Sequence, residues 1–372
     1  SLQFQINTDP KELAGYVKMK HSISDKFILE PGIRINYYNV YSDQLYPDFR
    51  FGMKYLLTDD RYINLSLGNY HQFMATFQDD YNPNILDQWI AVDKTVSPGK
   101  STQFVLGYEE YIKDIYKLQI EGYYKDIENL FTYEEFRATT DEAFPDTFRL
   151  SDIVTPSDGY AYGLEIFTQK MSGRLSGWLA YTFSVSRKKM NSIFYDKEEE
   201  YYNGWDRTHS FSALGNYRIN SDWDMNWKLS IQSGQAYTPI LGYYNQHFPE
   251  SPDESFRTIP GTRNSARYAP YNRLDFGFVH HKIINGKKMD IYIQIINVFN
   301  TKNIFRKSYN VGSTTNGIDD DRDWDVNEHD TNGNGLPDVG EVNVDEQDEG
   351  MLQVNDISLF PIIPTIGISW EF

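Results

Sequence analysis

P-T-I-G-I-S-W-E-F, residues 364–372, decides how the chain is read. Ile366, Ile368, Trp370 and Phe372 fall on one side of a strand, and Thr365, Gly367, Ser369 and Glu371 on the other. This is the period of two that a pleated strand imposes. One face is wholly apolar and ends in two aromatics; the other is small or polar. A soluble sandwich shows the same alternation but seldom stops on an apolar residue. A membrane barrel accounts for both features, since lipid takes the apolar face, a wet lumen the polar one, and the closing strand seals the seam.

Working outward, the composition agrees. The 372 residues carry 53 Asp and Glu against 35 Lys and Arg, a net charge of −18, which argues against nucleic acid as a partner. Aromatics make up 16% of the residues, with 29 Tyr, yet the mean hydropathy is −0.59. Tyr-rich strands under polar loops fit a barrel with aromatic girdles. No apolar run approaches the roughly 18 residues of a membrane helix. There is no cysteine, hence neither a disulfide nor a thiolate metal site. The opening S-L-Q-F-Q-I-N-T lacks an initiator Met and an export signal, so the expectation is a cleaved leader or a piece of something longer.

Alternation and turn chemistry predict thirteen strands, over 12–21, 26–38, 48–57, 62–73, 101–112, 115–133, 160–170, 174–187, 207–219, 223–233, 271–282, 288–299 and 365–372. In 115–133, Leu118, Ile120, Gly122 and Tyr124 oppose Lys117, Gln119, Glu121 and Lys125. Short turns at 22–25, 58–61, 113–114, 171–173, 220–222 and 284–286 alternate with long loops at 39–47, 78–100, 134–159, 188–206, 234–270 and 301–364. Loops long on one rim and short on the other are the plan of an all-β, antiparallel, up-and-down transmembrane barrel. Bacterial single-chain barrels have even strand counts. Thirteen strands therefore imply a missing one, or a fourteenth of which residues 2–6 are the stub, and the start reads as an internal cut.

Several stretches resemble a known family: A-G-Y-V-K-M-K, I-L-E-P-G-I-R-I-N-Y-Y, F-R-F-G-M-K-Y-L-L-T, L-S-L-G-N-Y-H-Q-F, E-G-Y-Y-K-D-I-E-N-L, A-Y-G-L-E-I, W-L-A-Y-T-F-S, W-D-R-T-H-S-F, A-P-Y-N-R-L-D-F and I-N-V-F-N-T-K-N. In this order they resemble the C-terminal part of the barrel of TonB-dependent outer-membrane transporters, in the version common in Bacteroidetes-type bacteria. The resemblance implies one domain over 1–372, the last 13–14 of about 22 strands, with long extracellular loops and a periplasmic C-terminus. It implies uptake of a scarce nutrient such as a siderophore, cobalamin, glycan or peptide, powered by TonB-ExbB-ExbD through an N-terminal plug that has no counterpart here. A surface lipoprotein is a further partner, and outer-membrane lipid and lipopolysaccharide surround the barrel. The apolar ending at Ile366, Ile368, Trp370 and Phe372 resembles the signal read by the barrel-assembly machinery. The alternative is a non-transporting barrel, an adhesin or a scaffold in a secretion or attachment complex.

D-T-N-G-N-G-L-P-D-V-G-E, residues 330–341, matches the twelve-position calcium loop. Asp330, Asn332 and Asn334 take positions 1, 3 and 5, Leu336 gives its carbonyl at 7, Asp338 is 9 and Glu341 the bidentate ligand at 12. The expectation is a structural calcium ion, bound weakly at about 10⁻⁴–10⁻³ M, within an acidic extracellular insertion over 315–350. A solvated acidic loop tip is the plainer reading. The seven His are scattered, and no nucleophile–base or metalloprotease spacing occurs, so the chain does not read as an enzyme. Adjacent strand residues point oppositely, which keeps His209 from serving Ser210. Tyr201, Tyr202, Trp205, Tyr237, Tyr243 and Tyr244 are candidates for stacking on a sugar, a siderophore or a peptide, against the plainer reading of an aromatic girdle. Glu198–Glu200 read as a solvated charge run, and Arg263, Arg267 and Arg273 as local basic patches.

Overall fold

The computed structural model describes residues 10–40, 44–77, 88–133, 154–192, 197–246, 255–313 and 350–370, with 325–328 and residues 331, 333 and 336. Thirteen antiparallel strands follow one another in chain order through a single sheet. They are β1 Glu12–Lys18, β2 Phe27–Tyr38, β3 Gln44–Thr58, β4 Arg61–Gln72, β5 Gly99–Ile112, β6 Tyr116–Tyr133, β7 Val154–Lys170, β8 Leu175–Ser192, β9 His209–Arg218, β10 Trp223–Gln232, β11 Tyr271–Ile284, β12 Lys287–Ile296 and β13 Ile363–Trp370. Each corresponds to one of the strands expected from the alternation.

Register turns the sequence pattern into two faces. One row runs Leu67, Phe104, Tyr124, Tyr162 and Val185 across neighbouring strands, all apolar or aromatic. Three residues along, and so on the opposite face, another runs Lys54, Asn64, Gly107, Glu121, Glu165 and Thr182. The apolar face is the open one: Ile366 is 75% exposed, and Ile368, Leu179 and Leu106 are exposed with it. A soluble protein would bury this face. Lys117, Glu121 and Lys125 lie on the polar face, where Lys117 reaches Glu109 at 3.8 Å and Lys125 lies 5.1 Å over the Tyr123 ring.

Turn chemistry fixes the short-turn rim. Lys113 and Asp114 both have left-handed backbones (φ 53° and 54°), as do Asn285 and Gly286 (φ 52° and 80°). Two central residues with positive φ make the tight hairpin turn whose twist matches the strands.

The long-loop rim differs from the expectation. Strand β7 starts at Val154 rather than residue 160, and β8 runs to Ser192 rather than 187. Its extension pairs with a further strand, Lys197–Tyr202, inside the stretch read as a loop. Beyond the apolar belt both faces are polar, so alternation disappears while backbone pairing continues. Other strand pairs lie in or beside expected loops: Met74–Phe77, just before the loop 78–100, with Gln88–Ala91 inside it, Ala236–Tyr237 with Ala266–Arg267, Ile240–Gln246 with Ser255–Pro260, and Ile304–Ser313 with Gly350–Ser358. The last two pairs form a compact unit of their own, over 240–261 and 304–359; the wall and the remaining loops form the other.

Two knots hold the wall's long-loop rim. In the first, Tyr38, Phe73, Val92 and Val96 are all buried. Tyr38 stacks on Phe73 with centroids 4.7 Å apart, and its hydroxyl donates to the Val92 carbonyl at 2.6 Å. In the second, the Asp206 carboxylate, almost fully buried, receives Arg267 Nη2 at 2.5 Å and the Ser186 amide at 2.8 Å. Arg267 Nη1 donates to the Gly234 carbonyl at 2.9 Å. A Cβ at Gly234 would stand 1.7 Å from the Tyr268 carbonyl oxygen, so only glycine fits. Asp206→Ala leaves both donors without a carboxylate and should cost about 3 kcal/mol. Gly234→Ala should cost about 2 kcal/mol through backbone displacement. Thermal unfolding of the purified protein in detergent checks both, against Ser221→Ala on the short-turn rim as a near-neutral control.

Candidate functional site

The expected aromatic residues separate once their elements are known. On the strand Lys197–Tyr202, Tyr201 is opposite Lys188 and Tyr202 opposite Arg187, so the two rings take opposite faces. Tyr201 is 5% exposed; its hydroxyl lies 3.2 Å from Thr132 Oγ1 and Arg263 lies 5.2 Å over its ring. Tyr202 carries Arg187 at 4.0 Å and Arg267 at 4.7 Å from its centroid. Tyr237 stacks on Tyr268 at 4.3 Å. These four rings are packed into the long-loop rim. Tyr243 and Tyr244 belong to the hairpin of the second unit, where Tyr244 is exposed. Trp205 stands in the turn before β9, 58% exposed.

The charged groups read as patches are also engaged. Arg263 is buried, Arg267 is held by Asp206, and Arg273 pairs with Asp275 at 2.7 Å. Glu200 is exposed, as expected of a solvated run, but it is also paired: it accepts the Tyr160 hydroxyl at 2.7 Å, with Arg187 and Lys189 each at 3.6 Å. His209 lies 3.0 Å from the Tyr181 hydroxyl, while Ser210 Oγ accepts from Gln232, so the two neighbours serve different partners.

Trp205 borders a cavity of about 330 Å³ at the long-loop rim. Phe131, Gln103, Asn129, Asn203 and Lys188 also line it, contributed by β6, β5, β8 and the turn before β9. Asn129 is held in the left-handed region (φ 57°), where the β6–β7 register slips between Ser157 and Gly159. Such bulges re-aim side chains at sites. The Asn129 amide donates to Asp158 at 3.1 Å and its side chain to the Pro98 carbonyl at 3.2 Å. Asn203 Oδ1 accepts the Trp205 amide at 3.3 Å, fixing the turn that presents the indole. Sequence alone marked Trp205 but not Gln103, Asn129 or Asn203, which come together only through register.

Of the calcium-loop residues, Asp330, Asn332, Asn334, Asp338 and Glu341 lie outside the described residues; Leu336 is exposed. Of the apolar ending, Ile366, Ile368 and Trp370 share the exposed apolar face of β13, and Phe372 lies outside the described residues.

Comparison with known proteins fits this architecture. The TonB dependent receptor-like, beta-barrel family matches residues 3–298, and the chain belongs to that family. No curated protein matches the sequence. Similar solved structures include the ferric enterobactin receptor of Pseudomonas aeruginosa, 11% identical, with 79% of this chain and 40% of that one covered and a TM-score of 0.53. The ferripyoverdine receptor of the outer membrane of Pseudomonas aeruginosa is 13% identical, with 81% and 36% covered and a TM-score of 0.51. The iron transporter FrpB of Neisseria meningitidis is 11% identical, with 78% and 41% covered and a TM-score of 0.50. At these identities the likeness is one of fold, and the chain spans about 40% of the length of the enterobactin receptor. The thirteen strands are thus part of an outer-membrane barrel wall. The apolar belt meets lipid and the polar face looks into the lumen.

Glu200 stands beyond that belt. The hydrogen bond from Tyr160, with Lys189 and Arg187 close by, holds its carboxyl below the ordinary 4.5. A lowered folded-state value means the contribution is fully present above the unfolded carboxylate range and is lost as pH falls through the folded value. Melting temperature should therefore fall with acidification below about pH 4.5, and Glu200→Gln should flatten that limb while leaving the neutral-pH limb parallel to wild type.

Proposed function

We propose that the chain forms the wall of a TonB-dependent outer-membrane receptor that takes up a scarce nutrient, in a Bacteroidetes-type bacterium. The observation that carries this reading is the family match over 3–298 on a wall whose apolar belt is open to lipid. The long-loop rim is extracellular and displays the cavity to the medium. The C-terminus is periplasmic, and the barrel-assembly machinery reads Ile366, Ile368, Trp370 and Phe372. Lipid and lipopolysaccharide contact the belt. TonB-ExbB-ExbD supplies energy through a plug inside the lumen, against the charged polar face. A surface lipoprotein over the long loops is compatible with this arrangement.

The test is whether the protein isolated from its native outer membrane binds the periplasmic domain of TonB. A stoichiometric complex is expected, and cellular uptake of the nutrient should stop when the proton-motive force is collapsed. A folded barrel that binds no TonB would instead be an adhesin or scaffold.

We further propose a calcium ion in the loop 330–341, supported by oxygen-bearing residues at alternate positions and glycine at position 6. Its role is to pin a long acidic insertion. Calorimetric titration should give a dissociation constant of about 10⁻⁴–10⁻³ M. The double variant Asp330→Asn, Glu341→Gln should lose the signal without altering the barrel's melting temperature. Equal titration of wild type and variant would leave only a solvated acidic loop.

A further inference from the structure

We propose that the cavity bordered by Trp205 is a binding site for a neutral sugar ring, an inference that rests on the receptor reading and names its ligand class. Its volume of about 330 Å³ falls at the lower end of the range of small-ligand sites, roughly 300–1,000 Å³. That matches a ring or two more closely than a large chelate.

The lining decides the chemistry. Trp205 is exposed on the rim and Phe131 lies in the same wall, so apolar ring faces are available for the C–H face of a pyranose. Gln103, Asn129 and Asn203 add side-chain amides; each spends one bond within the protein, to Ser101, Pro98 and the Trp205 amide, and an amide group has further donor and acceptor positions beyond one bond. An amide both donates and accepts, as does a sugar hydroxyl, and paired amide groups suit neighbouring hydroxyls. An iron chelate bearing several negative charges needs uncompensated cations instead. The cations here are already engaged. Lys100 Nζ reaches Glu128 at 2.7 Å and His71 Nδ1 reaches Asp48 at 2.7 Å. Lys188 is engaged as well.

The arrangement is set before any ligand arrives. The left-handed Asn129 is fixed by its bonds to Asp158 and Pro98, and the turn that carries Trp205 by Asn203. Pre-set side chains save the ordering cost that weakens recognition by flexible loops. Trp205 stands in a turn outside the strand pairing, so its ring can be changed without breaking the wall.

The test uses the whole protein purified in detergent, without TonB, so that binding is read apart from transport. A glycan array of neutral and acidic oligosaccharides, with ferric enterobactin as the chelate control, identifies what is held, and calorimetry on the best hit gives the affinity. The expected result is a neutral oligosaccharide. Its affinity should fall about tenfold or more in Trp205→Ala, with partial recovery in Trp205→Phe and an unchanged melting temperature. Selective binding of acidic glycans, Trp205-dependent binding of the chelate, or no binding by wild type would each overturn the proposal. So would an unaltered affinity in Trp205→Ala. Sugar binding that persists in a protein unable to engage TonB would uphold the site and refute the transport reading alone.

Discussion

In hydrocarbon a backbone amide has no water to turn to, so every N–H and C=O in the spanning region must find another strand. The wall from β1 to β13 answers this by pairing each strand with its neighbours in sequence, through antiparallel registers that slip only locally, at Leu56/Thr58 and Ser157/Gly159 among the described residues. Everything else follows from that ladder. It places Leu67, Phe104 and Tyr124 in one lipid-facing row, and Gly107, Glu121 and Glu165 in one lumen-facing row. Side chains can then specialise by face without touching the hydrogen bonding that holds them.

The same separation explains what could be read from residues. Inside the belt, face and polarity coincide, so the strands on either side of Lys113–Asp114 and Asn285–Gly286 are legible from alternation and turn chemistry together. Above the belt the coincidence ends. Residues 188–192 and 197–202 pair as strands although Lys188, Lys189, Glu199 and Glu200 carry no apolar stripe. The aromatic residues were visible as types, but their environments were not. Tyr201 and Trp205 are four positions apart; one is enclosed under Arg263 and the other open to solvent. Nothing local separates them, because the difference is made by Thr132 and by loop residues more than sixty positions away. Asn129 carries a weak local sign, a residue tolerant of positive φ inside a long strand, yet its nearness to Trp205 is a fact of register.

Charge is handled differently on the two sides of the belt. On the lumen face it is spread out and mutually satisfied, as in Lys117 with Glu109 and Arg273 with Asp275. At the long-loop rim it is concentrated in knots such as Asp206 with Arg267, where burial makes each partner indispensable to the other. The chain's excess of acid is concentrated in one stretch of the sequence. The run of carboxylates over 315–350 accounts for much of it, and it sets the field at the loops rather than the stability of the wall.

The small apolar knot of Tyr38, Phe73, Val92 and Val96 ties the segment 92–98 to the strand ends on both sides of it. It works as a hem: the fabric below is finished before any loop begins. Met74–Phe77 and Gln88–Ala91 rise from that finished edge as a pair of their own, outside the register of the wall beneath. A receptor lineage with such an edge can rewrite what it shows to its surroundings while its assembly into the membrane stays the same.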